Sequence, residues 1–178
     1  AADVRFGNAV LDPSEAAHAY YPQRTTPADW EGDVWFNWNE TYLHDPWSGS
    51  YAYMVVLHEI GHALGLKHSH YDQDWSWLAT LPYGEDNRQY TVMSYNEHPN
   101  YWSIEPSSLL LYDIAALQYL YGANMSTRSG DTTYSWNANA QFIECIWDGG
   151  GNDTIDASNQ TRRVIINLNA GTFSSVGA

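Results

Sequence analysis

Residues 58–68 read HEIGHALGLKH, and this stretch decides the fold of the 178-residue chain. At about 100° per residue, an α-helix places His58 and His62 about 40° apart on one face and one turn apart along its axis. Both imidazoles can therefore reach one ion, and Glu59 lies beside the pair. Gly65 falls where a helix commonly ends in a left-handed conformation. The stretch predicts a helix that carries two metal-ligating histidines and ends at a sharp turn.

A third histidine completes the pattern. The glycine lets the backbone leave the helix sharply, so that His68 can return toward the other two histidines. Three neutral imidazoles are typical of a catalytic zinc site, which keeps a fourth position open for water. Glu59 is placed to take a proton from such a water, so the pattern predicts zinc-dependent hydrolysis of an amide bond. The alternative is a solvated, histidine-rich helix end, which does not explain why the glycine falls where a turn is required.

Hydrophobic periodicity around this stretch predicts an α+β fold. Short alternating segments bounded by turn residues predict three strands of one sheet, at residues 4–6, 17–21 and 33–37. Helical spacing predicts a helix from Ser50 to Leu64. We expect its apolar stripe to be buried while the histidines, roughly 150° away, face a cleft. The stripe comprises Tyr53, Leu57, Ile60 and Leu64.

The remainder of the chain predicts one more helix and then β structure. Pro106-Ser107-Ser108 predicts the start of this helix and Gly122 its end. Residues 69–104 have no sustained period, which is typical of long ordered loops, and such loops are usually functional. After Gly122, polar turns alternate with short β-type runs such as residues 164–168.

The composition argues against polyanionic partners and against a fold held together by disulfides. The chain has 21 acidic and 7 basic residues, a formal net charge of −14, so nucleic acid and anionic membranes would be repelled. An acidic surface serves either solubility or the attraction of cations such as calcium. Cys145 is the single cysteine, which excludes a scaffold held by intrachain disulfides.

A second motif, placed after the histidines, resembles a known family. Residues 91–95 read TVMSY and are similar to the Met-turn that passes beneath the zinc in the metzincin clan. The resemblance implies that Met93 forms the hydrophobic floor of the zinc site. It also implies that Tyr95 is a further zinc ligand in the resting enzyme, which swings away and hydrogen-bonds the tetrahedral intermediate.

Within the metzincins, the chain resembles the serralysins. Residues 113–118 (DIAALQ) and 120–125 (LYGANM) are similar to the helix that closes the serralysin protease domain. Residues 128–132 (RSGDT) and 147–153 (WDGGGND) are similar to the calcium-binding start of its β-roll. Oxygen ligands suit this hard cation, although a glycine-rich run alone also fits a plain turn. The resemblance implies one calcium ion held by the carbonyls of Arg128, Gly130 and Thr132 with Asp148 and Gly150, and a second site begun by Gly151 and Asp153.

Some positions depart from the family pattern. Ser69 follows the third histidine, as in matrixins, where serralysins usually carry proline. Trp35 stands where matrixins place a histidine of a structural zinc site, so we expect no second zinc of that type and a structural role for His18. The family's first helix and strands, its later nonapeptide repeats and any export signal are expected to lie outside this chain. The resemblance divides the chain into a metzincin catalytic domain, residues 1–122, and the start of a β-roll, residues 123–178.

The resemblance implies a secreted, extracellular zinc endopeptidase. Polypeptide substrates would add to the sheet edge at residues 17–21 as one more strand, and the aromatic-rich loop 71–101 would set side-chain preference. A small protein inhibitor is a further partner that the family implies. Two other classes remain: a peptide-binding pseudo-protease, against which Glu59 argues, and a calcium-dependent structural module, for which one glycine-rich repeat is too short. The remaining histidines His44, His70 and His98 are expected at the surface without a role.

Overall fold

A computed structural model of the protein describes residues 4–22, 29–71, 73 and 77–177. The chain divides into two units. The first comprises the described residues up to Tyr121 together with Phe142–Cys145, and the second comprises Gly122–Gln141 and the described residues from Ile146 onward. Helices and strands both occur, so the mixed α and β character predicted from the sequence is confirmed.

The first unit contains one three-stranded sheet. Strands β1 (Arg5–Ala9), β2 (Ala17–Ala19) and β3 (Asp33–Asn37) lie in the order β1-β3-β2. Strand β1 pairs parallel to β3, and β2 pairs antiparallel to β3. All three predicted strands are present, although β1 extends further along the chain and β2 is shorter than expected. Within the described residues, β2 forms one edge of the sheet.

Helix α1 (Tyr51–Ala63) follows a 3₁₀ helix, Thr41–His44, which the sequence analysis missed. Ser50 caps α1, because its side-chain oxygen accepts a hydrogen bond from the Tyr53 backbone N–H at 3.1 Å. Gly65 follows the helix with φ +96°, the left-handed conformation that glycine adopts without steric cost. The predicted bounds of this helix are confirmed.

The buried face of α1 differs from the prediction. The expected stripe is only partly buried, whereas the side that carries the histidines is buried, because it packs against the sheet and against the loop around Met93. The buried residues are Ala52, Met54, Val55, His58, Glu59, Gly61, His62 and Ala63. The prediction that the apolar stripe forms the buried face of α1 was therefore wrong.

Helix α2 (Leu111–Tyr121) begins later than the sequence predicts and ends, as predicted, before Gly122, which has φ +83°. The predicted start was wrong because Pro106 forms a parallel bridge with Ile143, and the Ser107 backbone N–H donates to the Ile143 carbonyl at 2.8 Å. These contacts hold the chain extended before the helix. A core cluster lies between α2 and the end of α1, formed by Leu66, Val92, Met93 and Leu110.

The second unit contains two short strand pairs. Strands β4 (Thr133–Ser135) and β5 (Thr154–Asp156) pair in parallel, and β6 (Val164–Ile165) and β7 (Ser175–Val176) pair antiparallel. The tail thus contains strands, as predicted. Throughout the described part of the chain, every helix is too short or too polar to cross a membrane.

Candidate metal centre

The three predicted histidines lie together at the end of α1. The ligating nitrogens of His58, His62 and His68 all lie within 4.8 Å of one another. The Nε2 atoms of His62 and His68 are 3.1 Å apart, and the rings of His58 and His62 are nearly perpendicular, at 89°. Since helical spacing brings the first two together and the turn at Gly65 returns the third, the local sequence accounts for the cluster.

Backbone carbonyls orient the two histidines of α1. The Nδ1 atom of His58 lies 2.7 Å from the Val92 carbonyl oxygen, and that of His62 lies 2.8 Å from the Leu66 carbonyl oxygen. A proton on Nδ1 that is donated to a carbonyl leaves the Nε2 lone pair for a metal. Burial lowers the pKa of His58 to about 3, so its imidazole is neutral at neutral pH.

Glu59 provides a buried acceptor beside the cluster. It is 6% exposed, and among the described residues no group donates a hydrogen bond to its Oε2 atom. Burial, and secondarily the charge of Glu15, raises the pKa of Glu59 to about 7. A buried carboxylate oxygen without a partner is costly unless the site uses it. Three neutral imidazoles with such a carboxylate beside them fit a hydrolytic zinc ion.

The loop at Met93 packs directly under α1. Met93 is 2% exposed, and a Cβ atom at Gly61 would collide with its sulfur atom. Gly61 directly precedes His62, and its lack of a side chain lets this helical turn pack closely on the methionine. The structure therefore places Met93 beneath the histidine cluster.

Asp113, on the first turn of α2, fixes this loop, and the sequence analysis did not assign it this role. Its carboxylate accepts hydrogen bonds from the Thr91 hydroxyl at 2.5 Å and from the backbone N–H groups of Val92 and Leu110, both at 2.9 Å. Asp113 is 1% exposed. Burial raises its pKa, and this effect is larger than the opposite effect of the three hydrogen bonds, which lower it. The signal in the sequence was a lone aspartate within an apolar helical segment.

Tyr95 approaches the cluster from the solvent side. Its hydroxyl oxygen lies 2.9 Å from His68 Nε2, and its ring centroid is 4.7 Å from that of His68. Because 61% of the residue is exposed, the ring has room to move away from the histidines. The structure thus brings Tyr95 to the three histidines.

The sequence analysis did not predict a contact of Tyr21 with the cluster, and it was only partly right about the exposure of the remaining histidines. The Tyr21 hydroxyl lies 2.8 Å from His62 Nδ1, a contact that no local pattern signals. His70 was expected at the surface, but it is partly buried and stacks on His68. His98 was also expected there and is 7% exposed, so that expectation was wrong, whereas His44 is exposed.

The residues predicted to bind calcium lie on two neighbouring loops of the second unit. The Thr132 backbone N–H donates to Asp153 Oδ1 at 2.9 Å, and the Gly150 backbone N–H donates to Asp148 Oδ1 at the same distance. A Cβ atom at Gly151, which has φ +125°, would meet the Gly130 carbonyl. The structure brings together Arg128, Gly130, Thr132, Asp148, Gly150, Gly151 and Asp153 on these loops.

Comparison with known proteins gives consistent matches over the chain. The family model for peptidase M10, matrixin, matches residues 12–92, and that for the peptidase M10 serralysin C terminus matches residues 123–178. Serralysin B of Dickeya chrysanthemi is 39% identical over 98% of the chain and 40% of its own length. Serralysin of Proteus mirabilis is 38% identical over 98% of the chain and 40% of its length. Metalloprotease AprA of Pseudomonas entomophila is 38% identical over 98% of the chain and 41% of its length.

The chain spans about 40% of the length of these relatives. The resemblance inferred from the sequence is confirmed, and with it zinc and calcium as the cofactors to expect.

Proposed function

Because the chain belongs to the serralysins, a metzincin family of M10 peptidases, we propose that it is the catalytic part of a secreted, extracellular zinc endopeptidase. The observation that carries this proposal is the cluster of His58, His62 and His68 with the buried carboxylate of Glu59 beside it. The catalytic domain comprises residues 1–122, and residues 123–178 begin a calcium-binding β-roll.

The three histidines would hold zinc through their imidazole nitrogens. Bound zinc supplies Lewis acidity, which polarises a carbonyl and makes water more acidic. Glu59 acts as the general base: its carboxylate takes the proton of the attacking water and passes it to the leaving amine. The absence of a hydrogen-bond donor to Oε2 among the described residues supports this role, since a base needs a free lone pair.

Tyr95 serves the same reaction in a different way. Its hydroxyl would be a weak ligand in the resting state and would donate a hydrogen bond to the oxyanion that develops on the scissile carbonyl. The 2.9 Å distance to His68 Nε2 and the exposure of the ring support both positions. Met93 forms the apolar floor and keeps the histidines in place.

Polypeptide substrates would bind along β2. This strand is the sheet edge within the described residues, so an extended peptide can add its own backbone hydrogen bonds there. The loop 71–101 would set side-chain preference; its residues 72 and 74–76 lie outside the described residues. A small protein inhibitor that occupies this cleft is the further partner that we propose from the family.

Calcium would bind the two loops of the second unit. We assign one site to the carbonyls of Arg128, Gly130 and Thr132 with Asp148 and Gly150, and the start of a second to Gly151 and Asp153. The close approach of the loops at Gly151 and Gly130 supports this assignment, because carbonyl oxygens gathered by glycine turns are ligands that calcium accepts.

The decisive experiment measures zinc content and casein cleavage on the same metal-stripped and reloaded samples. We expect about one zinc per chain, loss of cleavage on stripping, and recovery when zinc is added back. A chain that binds zinc but never cleaves would be a pseudo-protease. A chain that binds calcium but not zinc would be a structural module, and full cleavage by metal-free protein would contradict the proposal.

A further inference from the structure

Three aromatic rings pack against one another on the solvent side of the metal centre. The ring of His70 stacks on that of His68 at 5.1 Å between centroids and 7° between planes. The ring of Tyr95 lies 4.7 Å from each of these two histidines. His70 is thus a second ring, besides His68, that packs against Tyr95. The rest of Tyr95 is largely open to solvent, since 61% of this residue is exposed.

Asp86 ties together the two loops that carry these rings. Its Oδ1 atom accepts hydrogen bonds from the hydroxyls of Ser69 at 2.6 Å and Ser94 at 2.7 Å. Ser69 lies between His68 and His70, and Ser94 directly precedes Tyr95. One partly buried carboxylate therefore links the two loops, and this link holds the His70 ring where it faces the tyrosine.

We propose that His70 is a positioning residue that keeps the Tyr95 ring beside the metal centre. This inference rests on the proposed function, in which the Tyr95 hydroxyl acts on the substrate. In this proposal His70 acts through Tyr95 and has no direct role on substrate or ion. Its flat ring and that of His68 confine the Tyr95 ring to the side of the cluster, where the hydroxyl can lie 2.9 Å from His68 Nε2 in the resting state and can turn toward the oxyanion during the reaction. Fewer orientations that point away from the site then compete with the productive one.

The direct readout is the Tyr95 ring itself, observed by NMR in the zinc-loaded chain with ¹³C-labelled tyrosine rings. Its signals are assigned as those lost in Tyr95→Phe. In His70→Ala we expect them to move toward the shifts of an exposed tyrosine and to report faster ring motion, because one stacking wall is gone. In His70→Phe, which keeps a flat ring, the signals should stay near their parental positions. Unchanged Tyr95 signals in His70→Ala would overturn the proposal.

Kinetics test whether the effect passes through the Tyr95 hydroxyl. His70→Ala should lower kcat roughly threefold to tenfold, the range that one aromatic pair contributes, with little change in KM. His70→Phe should restore most of this loss. In a Tyr95→Phe background His70→Ala should have no further effect, because the group that it positions is gone. An equal loss in both backgrounds would show that His70 acts elsewhere and would refute the proposal.

His44 offers a matched control in the same unit. It is another histidine that packs against an aromatic ring, with its centroid 4.7 Å from that of Trp38, but it is not a member of the cluster. His44→Ala should leave kcat and the Tyr95 signals unchanged; an effect as large as that of His70→Ala would refute a specific role. Zinc content should also be retained in His70→Ala, and its loss would assign the ring to holding His68 instead.

The Tyr95→Phe variant distinguishes an error in the role of Tyr95 from an error in the role of His70. If Tyr95→Phe cleaves as fast as the parent, the proposed role of Tyr95 is wrong whatever His70 does to the ring. If Tyr95→Phe is slow and His70→Ala behaves as the parent in both NMR and kinetics, only the positioning role of His70 is wrong.

Discussion

The histidine cluster and the two glycine-rich loops of the second unit are held by different forces. At the cluster, buried side chains bond to backbone groups distant in sequence, as His58 and Asp113 both do with Val92. In the loops, the partly exposed carboxylate of Asp148 and the exposed carboxylate of Asp153 accept hydrogen bonds from backbone N–H groups. The first region is fixed by the core, whereas the second has little buried apolar surface to fix it.

This difference indicates whether a bound ion would contribute to catalysis or to stability in each region. The core and the hydrogen bonds of the cluster already place the ligands, so bound zinc would supply chemistry more than structure. The loops carry the carboxylates of Asp148 and Asp153, and a cation bound by oxygens of both loops would join the two segments. We therefore expect zinc-site changes to affect turnover and calcium removal to affect stability.

The largest effect should follow from Glu59→Gln. The substitution keeps the size of the side chain and removes the base, so kcat should fall by about 10² to 10⁴. Zinc content should be unchanged, and thermal stability should not fall, because burial disfavours the charged carboxylate that is removed. Steady-state cleavage of a fluorogenic peptide, with zinc measured on the same sample, checks both. Residual turnover within tenfold of the parent, at full zinc occupancy, would exclude Glu59 as the base.

Tyr95→Phe should give the next largest loss. Removal of one oxyanion donor typically costs about 10² to 10³ in rate, and the loss should appear in kcat with little change in KM. The remaining ring preserves the stacking, so fold and zinc content should be retained. Loss of zinc would make the tyrosine a structural ligand, and an unchanged kcat would move the site toward the matrixin pattern.

Asp113→Ala tests whether hydrogen bonds in the core stabilise the region of the histidine cluster when no zinc is bound. It leaves the buried backbone N–H groups of Val92 and Leu110 without their acceptor, so the free energy of unfolding should fall by about 3 kcal/mol. Urea denaturation of metal-free protein measures this. Asp113→Asn is the control: its amide oxygen can accept both backbone bonds, so its loss should be clearly smaller. Equal losses for the two variants would show that the charge of Asp113, rather than these bonds, is what matters.

Calcium should have the smallest effect, confined to the second unit. At a hundredfold excess over its dissociation constant, one bound ion stabilises a fold by about 2.7 kcal/mol, so a calcium titration should raise protection from hydrogen exchange in residues 128–153. Peptides that contain His58 should not change. Gly151→Ala, which places a Cβ against the Gly130 carbonyl, should abolish the effect. If protection in these loops is independent of calcium, the calcium assignment fails.

The sequence by itself determined those features whose causes are local. Ser50 as a cap and Gly65 as a stop set the bounds of α1, and helical spacing put His58 and His62 on one face. These features depend on residues within about one helical turn of each other, so periodicity and capping suffice to predict them.

Only the tertiary structure decided which partners meet across the chain. The face that α1 buries, the later start of α2 at Leu111 and the bonds of Asp113 to the Met93 loop all depend on segments far apart in sequence. The same holds for His70, which looks like a surface residue until the Tyr95 loop is folded against it. A side chain's burial and bonds are set by what packs on it, and no local pattern carries that information.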